Sequence, residues 1–139
     1  MRGVLLEAEL VRSIVGGFFE VYNYFGYGLS ERVYGGALSH ELLARGHSVI
    51  RELHVNVRYR GMHAAAQRLD MVIDDKVIVE NKATEKISSA DRKQILSYLR
   101  ATKFEVGLLL HFGPSPSFQR YIDYPKRGSV GRVERPSRA

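Results

Sequence analysis

The stretch Arg68-Leu69-Asp70-Met71-Val72-Ile73-Asp74-Asp75-Lys76-Val77-Ile78-Val79-Glu80-Asn81-Lys82 decides the fold. Two apolar runs flank a polar turn at Asp74-Asp75, which predicts strands over Gln67–Ile73 and Lys76–Lys82 joined as a hairpin. Residues two apart on a strand share a face, so Ile78, Glu80 and Lys82 point one way and Val77, Val79 and Asn81 the other. A two-residue loop at Asp74-Asp75 pairs residue 70 with 79 and puts Glu80 on the wrong face. A three-residue loop, Asp74-Asp75-Lys76, pairs 70 with 80 and brings the two carboxylates together.

In that second register two carboxylates and an ammonium share the end of an apolar strand. Hard oxygen ligands of this kind suit Mg²⁺ (or Mn²⁺), which keeps several waters and shares its remaining positions with substrate phosphates. Asp70 and Glu80 are the candidate metal ligands, and Lys82 could orient or deprotonate an attacking water. The same spacing also arises by accident in a surface hairpin carrying a Glu-Lys pair.

Upstream, Leu10, Ile14, Phe18, Val21 and Phe25 recur at steps of three and four, predicting an amphipathic helix from about Leu5 to Phe25. Gly16-Gly17 weakens its middle by about 1 kcal/mol per glycine, which points to close approach of another element. Gly26 and Gly28 end it. Ser30 is placed to cap a second helix, with Glu31 in its first turn, Tyr34, Leu38 and Leu42 as its buried stripe and Gly46 as its stop. Val49–Tyr59 alternates as a strand and Arg60-Gly61 reads as a turn. Downstream, Ser88 or Ser89 caps a third helix that runs to about Thr102, and Val106–Leu110 is a continuously apolar strand buried on both faces. The order of helix, helix, three strands, helix, strand predicts an α/β sandwich, a mixed central sheet flanked by helices.

The chain has 139 residues, 45% of them hydrophobic and 26% charged, which suits one soluble domain with a real core. We assign that domain to residues 1–125 and a basic flexible tail to 126–139. With no cysteine, disulfides, zinc-thiolate sites, iron-sulfur clusters and thiol catalysis are excluded. No signal peptide or membrane span is expected, so the location expected is cytoplasmic. The net charge of +6 suits an anionic partner, although five bases against one acid from Lys126 onward supply most of it. No serine stands in a nucleophile elbow and no glycine loop cradles a phosphate. Both absences argue against Ser-His-Asp hydrolysis and P-loop chemistry. His40, His47, His54 and His63 lack ligand spacing and read as surface or filler residues.

Three further features bear on the site. Gln94 and Tyr98, at i and i+4, share one face of the third helix, where an amide and a phenol could meet a phosphate or hold the lysine. Glu31 adds a carboxylate at a helix start, where a dipole-favoured acid is also an ordinary finding. At this point Gly28-Leu29-Ser30-Glu31-Arg32-Val33-Tyr34 resembles the signature of the GxxExxY protein family. Asp70, Glu80-Asn81-Lys82 and Gln94-Ile95-Leu96-Ser97-Tyr98 resemble motifs of the PD-(D/E)XK nuclease superfamily, to which that family is assigned. The resemblance runs from about Leu6 to Gly113. It implies a restriction-endonuclease-like core in which Asp70 and Glu80 bind metal and Lys82 serves the water. Glu31 would be the helical acid, and Gln94 with Tyr98 would match a Gln-x-x-x-Tyr motif of exonuclease-like branches. The chain departs from the pattern at Asn81, where an apolar residue is usual, and at His111, where relatives often carry asparagine.

The expected function is Mg²⁺-dependent hydrolysis of nucleic acid, with DNA favoured. The alternatives are a non-catalytic nucleic-acid-binding or accessory protein on the same fold, and an enzyme acting on a small phosphorylated molecule. The small core leaves little surface for target selection, which leaves room for a homodimer or a protein partner.

Overall fold

The computed structural model describes residues 7–123 and the backbone of Val133–Glu134. In chain order the elements are α1 (Ala8–Phe25), α2 (Glu31–Ala44), β1 (Val49–Tyr59), β2 (Met62–Ile73), β3 (Val77–Lys82), α3 (Ser89–Ala101), β4 (Val106–Phe112), β5 (Pro116–Ile122) and β6 (Val133–Glu134). The sheet order is β5-β4-β3-β2-β1-β6. β3 and β4 are parallel, with α3 as their crossover, and every other pair is antiparallel. The fold is thus the mixed α/β sandwich that the sequence predicts.

Two cores lie on opposite faces of the sheet. Val11, Ile14, Phe18 and Val21 of α1 and Tyr34, Leu38 and Leu42 of α2 pack on Met71, Val79, Leu108 and Phe112. On the other face Tyr98 and Leu99 of α3 meet Val55, Leu69, Val72 and Ile78. Glycines set the helix approaches in both layers. A Cβ at Gly17 would lie 3.0 Å from Leu42 Cδ2, and one at Gly107 would lie 3.0 Å from Ile95 Cδ1. The first contact explains half of the Gly16-Gly17 pair; at Gly16 the neighbour is the Arg45 guanidinium.

The β2–β3 loop has three residues. Asp74 and Asp75 both adopt left-handed backbone (φ 52 and 56), and Lys76 N–H returns to Ile73 O at 3.0 Å. Met71 then pairs with Val79 and Val72 with Ile78, so continuing the ladder sets Asp70 opposite Glu80. The β1–β2 ladder is irregular at the same level. Arg51 pairs with Met71 and Leu53 with Leu69, and between them Glu52 is left-handed at φ 53. Met71 faces α1 and α2 whereas Leu69 packs on the α3 side, so the inward alternation slips at Asp70. One residue is skipped on each strand, so the register is kept and the two strands kink together there; the register shift of this ladder lies between Val57 and Arg58.

Where α2 begins, the chain turns through Gly28 at φ 118, a conformation that disfavours any residue with a Cβ. The Ser30 hydroxyl accepts Val33 N–H, as expected of the cap. Tyr34, fully buried and stacked on Phe112 at 4.3 Å, donates its hydroxyl to Gly26 O and accepts Leu29 N–H.

Three expectations change. β2 starts at Met62 rather than Gln67, because Met62–Ala66 is exposed on both faces and carries no alternation, yet pairs with β1 through the Arg60-Gly61 turn. A fifth long strand, β5, occupies the segment after Pro114. It is an edge strand with mostly exposed residues and a proline at its start, which leaves little apolar pattern to read. His47 is neither surface nor filler. Its ring joins Ser13 Oγ (2.7 Å) on α1 to Asp74 Oδ2 (2.8 Å) in the β2–β3 turn. The basic tail lies outside the described residues, except that Val133–Glu134 pair by backbone with Asn56 and Val57.

Tyr34→Phe keeps the ring stack but leaves Gly26 O and Leu29 N–H without their partner. We expect a loss of roughly 1–3 kcal/mol, read as a lower urea midpoint at unchanged slope.

Candidate active site

At the C-terminal end of β3, where the ladder to β2 stops, side chains replace backbone partners. Asp70 N–H donates to Glu80 Oε2 at 2.9 Å, and Asn81 N–H donates to Asp70 Oδ2 at 3.1 Å. The two acids are therefore held by each other's strands. Glu80 is 3% exposed, while Asp70 is half-buried and opens on the groove beneath α2. Burial, with Asp70 nearby, pushes the Glu80 carboxyl up to about 8, against the lowering effect of the Asp70 N–H and of Lys82.

Lys82 leaves β3 on the same face. Its Nζ donates to Gln94 Oε1 at 3.1 Å and lies 3.8 Å from Asp91 Oδ1. Gln94 thus holds the lysine from α3, with Tyr98 one turn further along the same helix. Burial raises the Tyr98 phenol above its usual value, and Glu80 and Asp70 add to the shift. Asp91 closes a capping box with Ser88. Burial alone would raise its carboxyl, but the Ser88 N–H and hydroxyl and the charge of Lys82 hold it below the usual range.

Glu31 reaches the same end of the sheet from the start of α2 and stays exposed at the rim. Partial burial of its carboxyl and the nearness of Asp70 raise its pKa, against Lys82 and the Ala83 N–H. His111, beside Lys82 in the parallel register, stands behind this group and is 7% exposed. Its Nε2 lies 2.6 Å from Thr84 O, fixing the segment after β3. A Cβ at Gly113 would collide with the His111 ring, so glycine there makes room for it.

The structure thus brings Asp70, Glu80, Lys82, Gln94 and Tyr98 to one end of the sheet, Glu80 and Lys82 on the α3 side and Asp70 at the edge that opens under α2, with Glu31 at the rim. Asn81 points to the other face, as strand parity requires. It is 3% exposed, its Nδ2 lies 3.3 Å from Met71 Sδ, and its Oδ1 has no partner. Sequence reading missed Asp91, although Ser88-Ser89-Ala90-Asp91 carries the spacing of a capping box.

The sequence model of the PD-(D/E)XK nuclease superfamily matches residues 8–121, and the chain belongs to that superfamily. No curated protein and no solved structure matches the chain. Nucleases of the superfamily generally use divalent metal ions and act on nucleic acid. The residues present fit such an ion. Asp70 and Glu80 bring two carboxylates together at the end of β3, with Glu31 close enough to feel Asp70, and the ammonium beside them, Lys82, is already engaged by Gln94 and Asp91. Among the described residues no three His, Asp or Glu side chains close into a cage. Two carboxylates with water and phosphate oxygens completing the shell is the way Mg²⁺ is held.

In chelator, folded Glu80 keeps its proton to about 8, whereas an ordinary glutamate loses it near 4.5. The folded state binds more protons across that window, so stability should fall as pH rises through it. Glu80→Gln stays neutral and should remove that fall. With EDTA, urea midpoints of the two proteins should agree near about pH 5 and diverge by about pH 9, the variant being the more stable. Parallel pH profiles would mean that the Glu80 carboxyl is not desolvated.

Proposed function

We propose that this protein is a metal-dependent nuclease of the GxxExxY family that hydrolyses phosphodiester bonds with Mg²⁺, DNA being the favoured substrate. The observation that carries the reading is the pair of crossed hydrogen bonds between the two strands, Asp70 N–H to Glu80 Oε2 and Asn81 N–H to Asp70 Oδ2, with Lys82 clamped beside them. A chain with no hydrolytic role has no chemical reason to hold a buried acid against a second one.

Asp70 and Glu80 are the ligands in this reading, and a bound divalent ion supplies charge neutralisation at the reacting phosphate and acidifies water. Lys82, fixed by Gln94 and Asp91, points a proton donor at the same place and steadies the charge that develops on phosphorus oxygens. Water oxygen forms the new bond to phosphorus, the P–O ester bond breaks, and the leaving oxygen takes up a proton. Glu31, at the open rim, would accept a hydrogen bond from the attacking water. Gln94 and Tyr98 act by positioning Lys82.

The Gly28–Tyr34 segment supports membership of the GxxExxY family through three separate jobs: the left-handed turn at Gly28, the rim acid at Glu31 and the loop clamp at Tyr34. Among the described residues no helix is long and apolar enough to cross a membrane. A cytoplasmic location accords with that and with the lack of cysteine. A homodimer or a protein partner would supply the target selection that a core of this size lacks.

The test pairs calorimetric Mg²⁺ titration with cleavage of linear, circular and single-stranded DNA and of RNA. Glu80→Ala should lose both metal binding and cleavage. Lys82→Ala should keep the metal, or bind it more tightly, and lose cleavage by about a hundredfold or more. An unmodified protein that neither binds Mg²⁺ nor cuts, yet binds DNA as well as both variants do, would refute the enzyme and leave an accessory protein.

A further inference from the structure

We propose that the groove between α2 and the kinked β1–β2 ladder seats an unpaired strand of the substrate, its phosphates taken by Arg51, Arg32 and Arg68. The inference rests on the nuclease reading and extends it from the reacting bond to the strand that carries it. The groove has a volume of about 860 Å³ and is continuous with the site, since Glu31 and Asp70 belong to its wall. That volume lies within the ~300–1,000 Å³ of sites that enclose small ligands, the scale of a nucleotide or two rather than of a duplex face.

Three observations converge on this groove. First, its cations are available. Neither Arg32 nor Arg51 engages an acid among the described residues, and Arg68 meets only Glu52, at 3.1 Å, in a pair that is more than half exposed on both sides. Such a pair is weak and can be exchanged for a phosphate. Second, the α2 wall is bare. Gly35 and Gly36 sit inside a helix, where glycine is a poor choice, and a Cβ on Gly36 would touch nothing closer than Arg51 Nη1 at 4.0 Å. Packing does not require Gly36; the open space in front of it does. Third, the wall contains Asn81, whose buried Oδ1 is an acceptor without a donor. That oxygen is closed to solvent, so a turn of the Asn81 amide as the strand seats is what gives it a donor. The kink at Glu52 and Asp70 keeps Arg51 on the α2 side of the sheet while the strand beyond turns to α3, and so shapes the groove.

The experiment measures fluorescence anisotropy of labelled single-stranded DNA, single-stranded RNA and duplex DNA in EDTA, where nothing is cut, across a salt series. Arg51→Ala should weaken single-strand binding several-fold and lower the salt slope by about 0.7 for the lost contact. Gly36→Leu should weaken it about tenfold by filling the groove, while its thermal melt holds or rises because leucine suits a helix better than glycine. Arg12→Ala, an exposed arginine on α1 outside the groove, should change neither and controls for net charge. The DNA and RNA arms decide which strand the groove accepts. Wild-type affinity in Arg51→Ala and Gly36→Leu would overturn the proposal, as would an equal loss in Arg12→Ala, or duplex binding that exceeds single-strand binding and depends on Arg51. A protein that holds single strands through Arg51 but never cuts with Mg²⁺ would keep the groove and remove the nuclease. One that cuts while indifferent to Arg51 and Gly36 would do the reverse.

Discussion

Everything at the working end of this molecule follows from one exchange, in which Asp70 and Glu80 each take a backbone N–H that a regular ladder would give to a carbonyl. The exchange costs two ladder bonds and burial of an acid, and it returns a fixed distance between two carboxylates. Because β2 separates from β3 there, the alternation slips, Leu69 turns to the α3 core and β1 follows through a left-handed Glu52. A left-handed residue without glycine costs about 1–2 kcal/mol, so the kink is a standing expense of holding this geometry. Lys82 is steadied by α3, which explains why the capping box at Ser88 and Asp91 matters beyond its own helix.

The opposite end of the sheet is built for rigidity. His47 links α1 to the β2–β3 turn, and Asp74 also accepts Ser48 N–H at 2.8 Å. The Ser13–His47–Asp74 chain has the order of a hydrolytic triad but not its setting. Ser13 lies within helix α1, its own carbonyl taken by Arg45, and neither a nucleophile elbow nor a helix N-terminus faces it. The turn that sets the register is thus locked from outside the hairpin, and with it the pairing of Asp70 and Glu80.

What could be read in advance followed local chemistry. Ser30 and Ser88 announce their helices because a hydroxyl must meet orphan N–H groups, and the buried strands β3 and β4 announce themselves by continuous apolar runs. The hairpin left two registers open, since Asp74-Asp75 fits either loop; Lys76 joining the turn, with the His47 lock, decided between them. The extension of β2 through Met62–Ala66 and the strand β5 were illegible because their order comes from partners, not from their own pattern. The cationic groove was illegible too. Arg32, Arg51 and Arg68 lie on three elements, and only the kink brings them along one wall.

Glu31 comes from α2, the paired acids and lysine from the hairpin, and the lysine's clamp from α3. No single element holds the set. During synthesis the hairpin emerges and pairs early, since its contacts are local, but β3 remains an unprotected edge until β4 has been made and docked through its crossover. The site is therefore completed late, once α3 and β4 have docked on the hairpin. A fragment that ends before Ser88 would carry the three acids and the lysine without the clamp that holds the lysine in place.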